Sequence, residues 1–432
     1  MTAKTIYAAG LMAALLAGCG ERDVKLVGER EPIRDTAAAF VNQSAPLSLI
    51  AARSNDSWTH RNGSAGHTIA HPALGQSLTQ AFSVTIGEGD SRRARITSAP
   101  VVANSAVYTL DARSQVTATA TSGVPLWSVN IAPRSDNLSD ASGGGIATDG
   151  NTIFVTTGFG ELTALDASTG AEVWTQDLDA PGTSAPTVRD GLVYVVARNS
   201  AAWALDASNG RIKWQLNGAP SVGNFAGGAG AAVSGDIAVF PFPSGEVVAT
   251  FPEGGTRRWQ TVLSGERLGN AAGLIKDIAG DPVIDGGRIY VGNFGGQIAA
   301  LDAFSGDRIW TLNEGALGPV WPAGNALFML NDKREVVRLN AADGTAVWRI
   351  ALPAPDLTSS NRQRAVTAYF GPVLAGGRLI VTASDGQIRQ FDPTSGALIG
   401  ADEIAGGAAS APVVAGNTLY VISKTGQLVA FR

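Results

Sequence analysis

Short runs of alternating or continuous apolar residues recur along most of the chain and are bounded by Gly, Asn, Asp and Ser. The runs are rich in β-branched and aromatic residues, which predicts β-strands. Clear examples are Thr152–Thr156, Leu192–Val196, Arg288–Gly292 and Arg378–Thr382. A second class of run, such as Ser98–Val102, carries proline near its start, where a strand tolerates the missing N–H. The pattern predicts repeating units of four strands.

A motif follows these strands and repeats through the chain. Its best copies are Ala164–Gly170, Ala204–Gly210 and Ala300–Gly306, each of the form Ala-Leu-Asp-Ala-x-x-Gly. A tryptophan stands four residues after the glycine in every copy, and the full set predicted on outer strands is Trp127, Trp174, Trp214, Trp259, Trp310 and Trp348. We expect the Asp to cap turn N–H groups, the Gly to take a positive φ, and the Trp to pack between adjacent sheets.

The motif spacing sets the number of units. Marker positions 127, 174, 214, 259, 310, 348 and 400, the last a glycine, lie about 45 residues apart, the length of a four-stranded propeller blade. Only three strands follow position 400, but Gln80–Ile86 offers a fourth, with Phe82 about one repeat before Trp127. The chain is therefore predicted to be all-β, an eight-bladed β-propeller of four-stranded antiparallel blades over residues 58–432, closed by pairing of its two ends.

The first residues have the features of an export signal. Lys4 precedes the apolar run Ile6–Leu16, which is too short to span a membrane. Leu16-Ala17-Gly18-Cys19 resembles the bacterial lipobox, which implies removal of residues 1–18 and acylation of Cys19. Gly20 rather than Asp follows the cysteine, which favours the outer membrane. The alternative to a lipobox is a plain signal peptide with an incidental cysteine. The polar segment 19–57 is predicted to be a tether.

Composition narrows the functions further. The net charge is −5 and the basic residues are scattered, which argues against nucleic acid as a partner. Cys19 is the only cysteine, so an intramolecular disulfide or a CxxC redox pair is excluded. The only histidines, His60, His67 and His71, lie in a Gly-containing stretch that predicts a loop, and we therefore predict no metal site there.

The repeated Ala-Leu-Asp-Ala-x-x-Gly-x-x-x-Trp motif resembles the pyrroloquinoline-quinone-type propeller blade, and together with the lipobox the chain resembles the BamB family. That resemblance implies a lipid-anchored subunit of the outer-membrane β-barrel assembly machine that faces the periplasm. It implies no catalysis and no cofactor. The implied partners are the periplasmic domains of the barrel subunit BamA and the other lipoproteins of the complex, with this chain as a monomeric subunit.

The same resemblance indicates two contact segments. The family run Arg-Leu-x-Asp-x-Asp-x-x-Pro corresponds to Leu274–Pro282, which supplies Ile275, Lys276 and Asp277 but has Ala279 for the second Asp. The second segment corresponds to Pro220–Phe225 and supplies Val222 and Phe225. Both lie in long predicted insertions, 217–229 and 263–280, as suits a partner site. The alternative is that Asp277 merely caps a turn.

Two other functions remain open from the sequence. The blade motif also occurs in quinoprotein dehydrogenases, which are longer and typically carry an adjacent Cys-Cys pair that a single cysteine cannot supply. The other alternative is a lipoprotein propeller that binds a different envelope partner. Partners recovered by affinity purification distinguish these from the BamB interpretation.

Overall fold

The computed structural model describes residues 40–137, 143–182, 184–221, 227–263, 275–354 and 366–432. The chain divides into two units, Met1–Val41 and Asn42–Arg432. In the first unit only Phe40 and Val41 are described, and both are exposed. In the second, every regular element that the structure describes is a β-strand. Over the described ranges no helix is long and apolar enough to cross a membrane.

Within the described ranges, thirty-two strands form eight four-stranded antiparallel sheets, which we number as blades in chain order. Blade 1 contains β2 (Val101–Ala103), β3 (Ala106–Leu110), β4 (Gln115–Ala120) and β5 (Pro125–Asn130). Blade 2 contains β6 (Gly144–Thr148), β7 (Thr152–Thr157), β8 (Glu161–Asp166) and β9 (Glu172–Asp177). Blade 3 contains β10 (Thr187–Arg189), β11 (Leu192–Val196), β12 (Ala201–Asp206) and β13 (Ile212–Asn217). Blade 4 contains β14 (Ala232–Ser234), β15 (Ile237–Pro241), β16 (Glu246–Thr250) and β17 (Arg257–Val262).

Blades 5 to 7 also follow chain order, whereas blade 8 takes its outer strand from the beginning of the propeller sequence. Blade 5 contains β18 (Val283–Asp285), β19 (Arg288–Gly292), β20 (Ile298–Asp302) and β21 (Arg308–Leu312). Blade 6 contains β22 (Trp321–Ala323), β23 (Ala326–Leu330), β24 (Glu335–Asn340) and β25 (Ala346–Ala351). Blade 7 contains β26 (Tyr369–Ala375), β27 (Arg378–Ala383), β28 (Gln387–Phe391) and β29 (Leu398–Glu403). Blade 8 contains β30 (Val413–Ala415), β31 (Thr418–Ile422), β32 (Gln427–Phe431) and β1 (Gln80–Thr85).

The two ends of the propeller sequence close the ring, which confirms the prediction of an eight-bladed β-propeller. β1 pairs antiparallel with β32, with Phe82 opposite Ala430. Thr79 and Arg432 extend the ladder, because each donates its N–H to the other's carbonyl at 2.8 and 2.9 Å. The last strand of the chain thus obtains its outer neighbour from the beginning of the propeller sequence.

Because strands alternate in direction within a blade, the connections separate onto two faces of the ring. The turns between first and second strands and between third and fourth strands share one end of every blade, which we call the turn face. The turns between second and third strands and the connections from one blade to the next share the other end, which we call the connection face. The two loops predicted for partner contact, between β13 and β14 and between β17 and β18, lie on the connection face.

The repeated aspartate and glycine shape the last turn of a blade as predicted. The carboxylate of Asp166 accepts the backbone N–H groups of Ser168 and Thr169 at 3.0 and 2.9 Å. Hydrogen bonds from the Ser168 and Thr169 hydroxyls and N–H groups lower the pKa of this exposed carboxyl. Gly170 has φ +73°, a conformation that favours glycine.

The same glycines also lie against the tryptophan of the preceding blade. A Cβ on Gly210 would come within 2.6 Å of the Trp174 ring, and the Trp174 indole N–H donates to the Ala207 carbonyl at 2.9 Å. The contact recurs at seven of the blade junctions: Phe82–Gly123, Trp127–Gly170, Trp174–Gly210, Trp214–Gly255, Trp259–Gly306, Trp310–Gly344 and Trp348–Gly396. Gly400 occupies the aromatic position of blade 7, so this contact is missing between blades 7 and 8. The predicted packing of the tryptophans between adjacent sheets is confirmed.

Residues 42–79 form a strap that crosses the turn face and fills the centre of the ring. The strap begins at the outer strand of blade 6, where the Gln43 N–H donates to the Val347 carbonyl at 2.9 Å. Arg338, also in blade 6, donates to the carbonyls of Ala45 and Pro46 at 2.7 and 2.8 Å, and the Ala45 N–H donates to the Thr394 carbonyl of blade 7 at 3.5 Å. Within the segment 19–57, which is predicted to be a polar tether, the residues from Asn42 onward contact the ring.

The part of the strap from Asn55 to Pro72, which we call the plug, bonds to every blade. The contacts by blade are Trp58 with Val102, Thr59 with Thr148, His60 with Val188, Ala65 with Val233, Gly66 with Ile284, Asn62 with Val320, Pro72 with Gly376, and Asn55 with Val414 and Gly416. The inner strand of a blade has no further strand to satisfy its edge, and the plug supplies the missing partners. In blade 6 the middle residue of the inner strand is Pro322, which has no N–H to satisfy.

Candidate partner interface

The two predicted contact loops flank blade 4 on the connection face. The first runs from β13 to β14 and the second from β17 to β18. Val222 and Phe225, predicted as contact residues of the first loop, lie outside the described residues, as does Cys19. The described parts are 218–221 and 227–231 of the first loop, and 263 and 275–282 of the second.

Side chains of the neighbouring turns hold the beginning of each loop. Glu246, at the start of the third strand of blade 4, accepts the Ala219 N–H and the Gln260 side-chain amide, the latter at 2.6 Å. In blade 5, the buried Asn293 side chain donates to the Leu263 carbonyl at 2.9 Å. The loops are therefore fastened to rigid blades at their bases, as suits a surface that presents side chains in fixed positions.

Residues 275–282 bring the predicted contact residues to different depths. Lys276 is exposed and Ile275 is half-buried. Asp277 is only 5 % exposed, and its carbonyl accepts the Phe294 N–H at 2.9 Å. The Asp277 carboxylate therefore points away from bulk solvent, and Lys276 presents the exposed charge of this segment. The contact role of these residues stays a prediction.

An ion pair between the buried Asp281 and the half-buried Arg61 joins both loops to the plug. Asp281 is 2 % exposed and accepts the Gly230 N–H of the first loop at 2.6 Å. Its other oxygen lies 3.2 Å from Nε of Arg61 in the plug. The sequence singled out Asp281 only as part of a motif, and Arg61 carried no local signal because its partner is distant in the chain. This pair fixes the position of the two loops relative to each other.

The three histidines hold the plug rather than form a common site. The Val188 N–H donates to Nε2 of His60 at 3.0 Å, and the Gly377 N–H donates to Nε2 of His71 at 2.8 Å. Nδ1 of His67 lies 2.8 Å from the Pro282 carbonyl. Burial, reinforced by the neighbouring His67, lowers the pKa of His60 to about 3, and burial also lowers the pKa of His67. His60 and His71 can accept these N–H groups only while neutral. Among the described residues no group of three His, Cys, Asp or Glu side chains is arranged to hold a metal ion.

A cavity of about 280 Å³ opens beside the plug, where the inner strands begin. Trp58, Ile96, Leu317 and Phe370 give it an apolar lining, and Arg61 enters from the plug. Trp58 is 1 % exposed and stacks on Trp321 with ring centroids 6.0 Å apart. Asn62 and Ser98 add polar groups, so the lining of the cavity is mixed.

Comparison with known proteins gives a consistent family. The family model described as outer membrane protein assembly factor BamB matches residues 112–350 and 332–432. The chain is 28% identical over 358 residues to the outer membrane protein assembly factor BamB of Burkholderia pseudomallei, which covers 82% of this chain and 88% of the relative. It is 26% identical over 338 residues to the protein of that name from Yersinia pestis, covering 77% of this chain and 83% of the relative.

Solved structures with the same fold come from two functional groups. BamB from Moraxella catarrhalis superimposes with a TM-score of 0.69 at 19% identity, covering 82% of this chain and 100% of that one. The quinohemoprotein alcohol dehydrogenase of Comamonas testosteroni superimposes with a TM-score of 0.64 at 15% identity, covering 87% and 80%. At these identities the likeness establishes the propeller fold and leaves function to the site and the family.

Proposed function

Because the chain belongs to the family of outer membrane protein assembly factor BamB, we propose that it is a non-catalytic scaffold of the outer-membrane β-barrel assembly complex. In this role the ring binds the periplasmic domains of the barrel subunit BamA and so assists the folding and insertion of outer-membrane proteins. The observation that carries the proposal is the family match, which extends from residue 112 in blade 1 to the last residue.

The arrangement of the plug at the centre of the ring favours a scaffold function over an enzymatic one. A quinoprotein dehydrogenase is the alternative because its propeller superimposes on this one. In this chain the plug occupies the axis. The Trp58 backbone bonds to the inner strand of blade 1, the His60 side chain to the inner strand of blade 3, and the Asn62 side chain to Val320, just before the inner strand of blade 6. A central segment fastened in this way stiffens the ring, which is what a docking platform requires.

We place the protein at the periplasmic side of the outer membrane, anchored through acyl groups on Cys19. The support is the lipobox Leu16–Cys19 and the absence of Asp after the cysteine. Residues 19–41 then form the tether, and the compact unit from Asn42 carries the docking surfaces. An anchored scaffold has a high effective concentration near the barrel subunit, which shares the same membrane.

We place the docking surface for BamA on the connection face, at the two loops flanking blade 4. These loops are fastened at their bases by Glu246 and Asn293 and joined by Asp281. Lys276 supplies an exposed charge and Ile275 a half-buried apolar side chain. Because the Asp277 side chain is buried, its role is to hold this segment in place for the neighbouring residues.

The test is purification of the full-length lipidated protein from its own envelope in mild detergent, with mass spectrometry of the proteins that accompany it. We expect the barrel subunit and its companion lipoproteins. Lys276→Glu should reduce their recovery, and Arg211→Glu, an exposed charge reversal on the turn face of blade 3, should not. Recovery of the wild type alone would contradict the scaffold function, and equal recovery with both variants would remove the connection face as the docking surface.

A further inference from the structure

The outer strands of the blades leave one edge of each sheet at the rim of the ring. Such edges carry backbone N–H and C=O groups that template pairing with another chain. Proteins usually prevent this pairing with charged side chains or proline on the edge strand. The eight outer strands therefore show where pairing is prevented and where it is permitted.

Six outer strands carry such protection, the outer strand of blade 6 is already paired with the strap at Val347 and Arg349, and the outer strand of blade 8 has neither. The protecting residues are Pro125 in blade 1, Glu172 and Asp177 in blade 2, Lys213 in blade 3, Arg257 and Arg258 in blade 4, Arg308 in blade 5, and Asp402 and Glu403 in blade 7. The outer strand of blade 8 is β1, with the sequence Gln-Ala-Phe-Ser-Val-Thr, which contains neither a charge nor a proline. Ser83 and Thr85 alternate with the half-buried Phe82 and Val84 and are exposed.

The rims on both sides of β1 are apolar. On blade 1, Val124 and Leu126 are 59 % and 54 % exposed. On blade 7, Leu398 and Ile399 are 57 % and 56 % exposed. Leu398 and Ile399 lie at the start of the outer strand of blade 7, whereas its charges, Asp402 and Glu403, lie at the other end. Exposed apolar residues that adjoin an unprotected edge are typical of a site that receives another chain.

The molecule itself shows how an extended segment adds to an outer strand. On blade 6, Gln43 donates its N–H to the Val347 carbonyl at 2.9 Å. The side-chain amide of Asn42 then pairs with the backbone of Arg349, accepting its N–H at 2.8 Å and donating to its carbonyl at 3.0 Å. The outer edge of blade 6 therefore forms hydrogen bonds with a segment outside its own sheet.

We propose that the outer edge of β1 binds an extended, uncharged β-strand of an unfolded outer-membrane protein. The inference rests on the proposed function, which supplies such strands as clients. Strands of membrane barrels alternate apolar and polar residues with few charges on their lipid-facing side, and this alternation matches a strand added beside Phe82, Ser83 and Val84. Blade 8 lies across the ring from blade 4, so a client on β1 leaves the loops around blade 4 available to the barrel subunit.

The experiment measures binding of a defined peptide to the full-length protein in detergent. The probe is a fluorescent peptide of about ten residues that alternates valine and threonine and has a neutral solubilising tail. Ser83→Lys places a protecting charge in the middle of β1. Thr311→Lys is the matched control, because Thr311 is also exposed and also directly follows the aromatic residue of an outer strand, in blade 5.

We expect Ser83→Lys to raise the dissociation constant at least about tenfold and Thr311→Lys to leave it within about twofold. A peptide with a central proline, which lacks the N–H for pairing, should bind at least about tenfold more weakly to the wild type. Equal effects of the two lysine variants, or binding that is indifferent to the proline, would overturn the proposal. So would failure of the wild type to bind the alternating peptide.

Recovery of the barrel subunit, measured in parallel, separates this proposal from the scaffold function. Ser83→Lys should leave that recovery unchanged, because the residue is distant in the ring from the loops around blade 4. If the wild type recovers the barrel subunit but does not bind the peptide, the client site is wrong and the scaffold function stands. If it does not recover the barrel subunit, the scaffold function itself fails.

Discussion

Truncation of one interblade tryptophan tests whether the aromatic contacts hold the ring together. Trp310 is 8 % exposed, lies against Gly344 of the next blade, and donates its indole N–H to the Ala341 carbonyl at 3.1 Å. In Trp310→Ala nothing refills the space, because the facing glycine has no side chain. Arg288 still donates to the Ala341 carbonyl, so that acceptor keeps a partner. The loss is therefore mainly buried aromatic surface, about 3–5 kcal/mol.

Urea unfolding followed by tryptophan fluorescence and circular dichroism measures this loss. We expect a lower midpoint for Trp310→Ala with a similar dependence on urea. Trp310→Phe is the control, since it keeps an aromatic ring against Gly344 and removes the N–H, and it should lose less than half as much. A loss below about 1 kcal/mol for Trp310→Ala, the size of an ordinary surface substitution, would refute the view that this contact fastens blade 5 to blade 6.

Three further predictions concern the turns, the plug and the loops. Gly210→Ala should destabilise the protein more than Gly191→Ala. Both glycines have a positive φ, but only Gly210 faces a tryptophan ring. The midpoints of urea unfolding of the two variants measure the difference. The free energy of unfolding should fall as the pH decreases from 7.5 to 5, by about 2 kcal/mol from His60 alone. Unfolding raises the pKa of His60 from about 3 to 6.5, so the unfolded chain binds more protons in this range. His60→Gln should make the free energy of unfolding depend less on pH. Asp281→Asn should destabilise by about 1–3 kcal/mol, and a double-mutant cycle with Arg61→Ala should give a coupling energy above about 0.5 kcal/mol if the pair acts as described.

The repeat made most of the ring predictable from the sequence. The tryptophan markers and the proline at the starts of inner strands recur at fixed positions, and Phe82 extends the series by one step to give the closing strand. Each of these signals is local, because a strand and its turn are encoded within one repeat. The second use of Gly210, against Trp174, was less visible because it joins one repeat to the next.

The strap was not predictable in the same way. Residues 42–79 have no strand alternation before β1, and their partners are inner-strand groups hundreds of residues away, such as Ile284 for Gly66 and Gly376 for Pro72. The burial of Asp277 was equally hidden, because an acidic residue in a loop gives no local sign of whether the fold covers it. Both features depend on tertiary contacts that a periodic pattern does not encode.

The plug also determines the order in which this protein can reach its native state. Its residues precede every blade in the chain, yet their hydrogen-bond partners are spread from Val102 to Gly416, and β1 can pair with β32 only when the last strand of the chain is available. Early blades can fold locally as they emerge, but the central segment must wait for the whole polypeptide. Such late, long-range contacts slow folding and prolong the lifetime of aggregation-prone intermediates. Availability of the last strand therefore determines when the plug can close the axis of the ring.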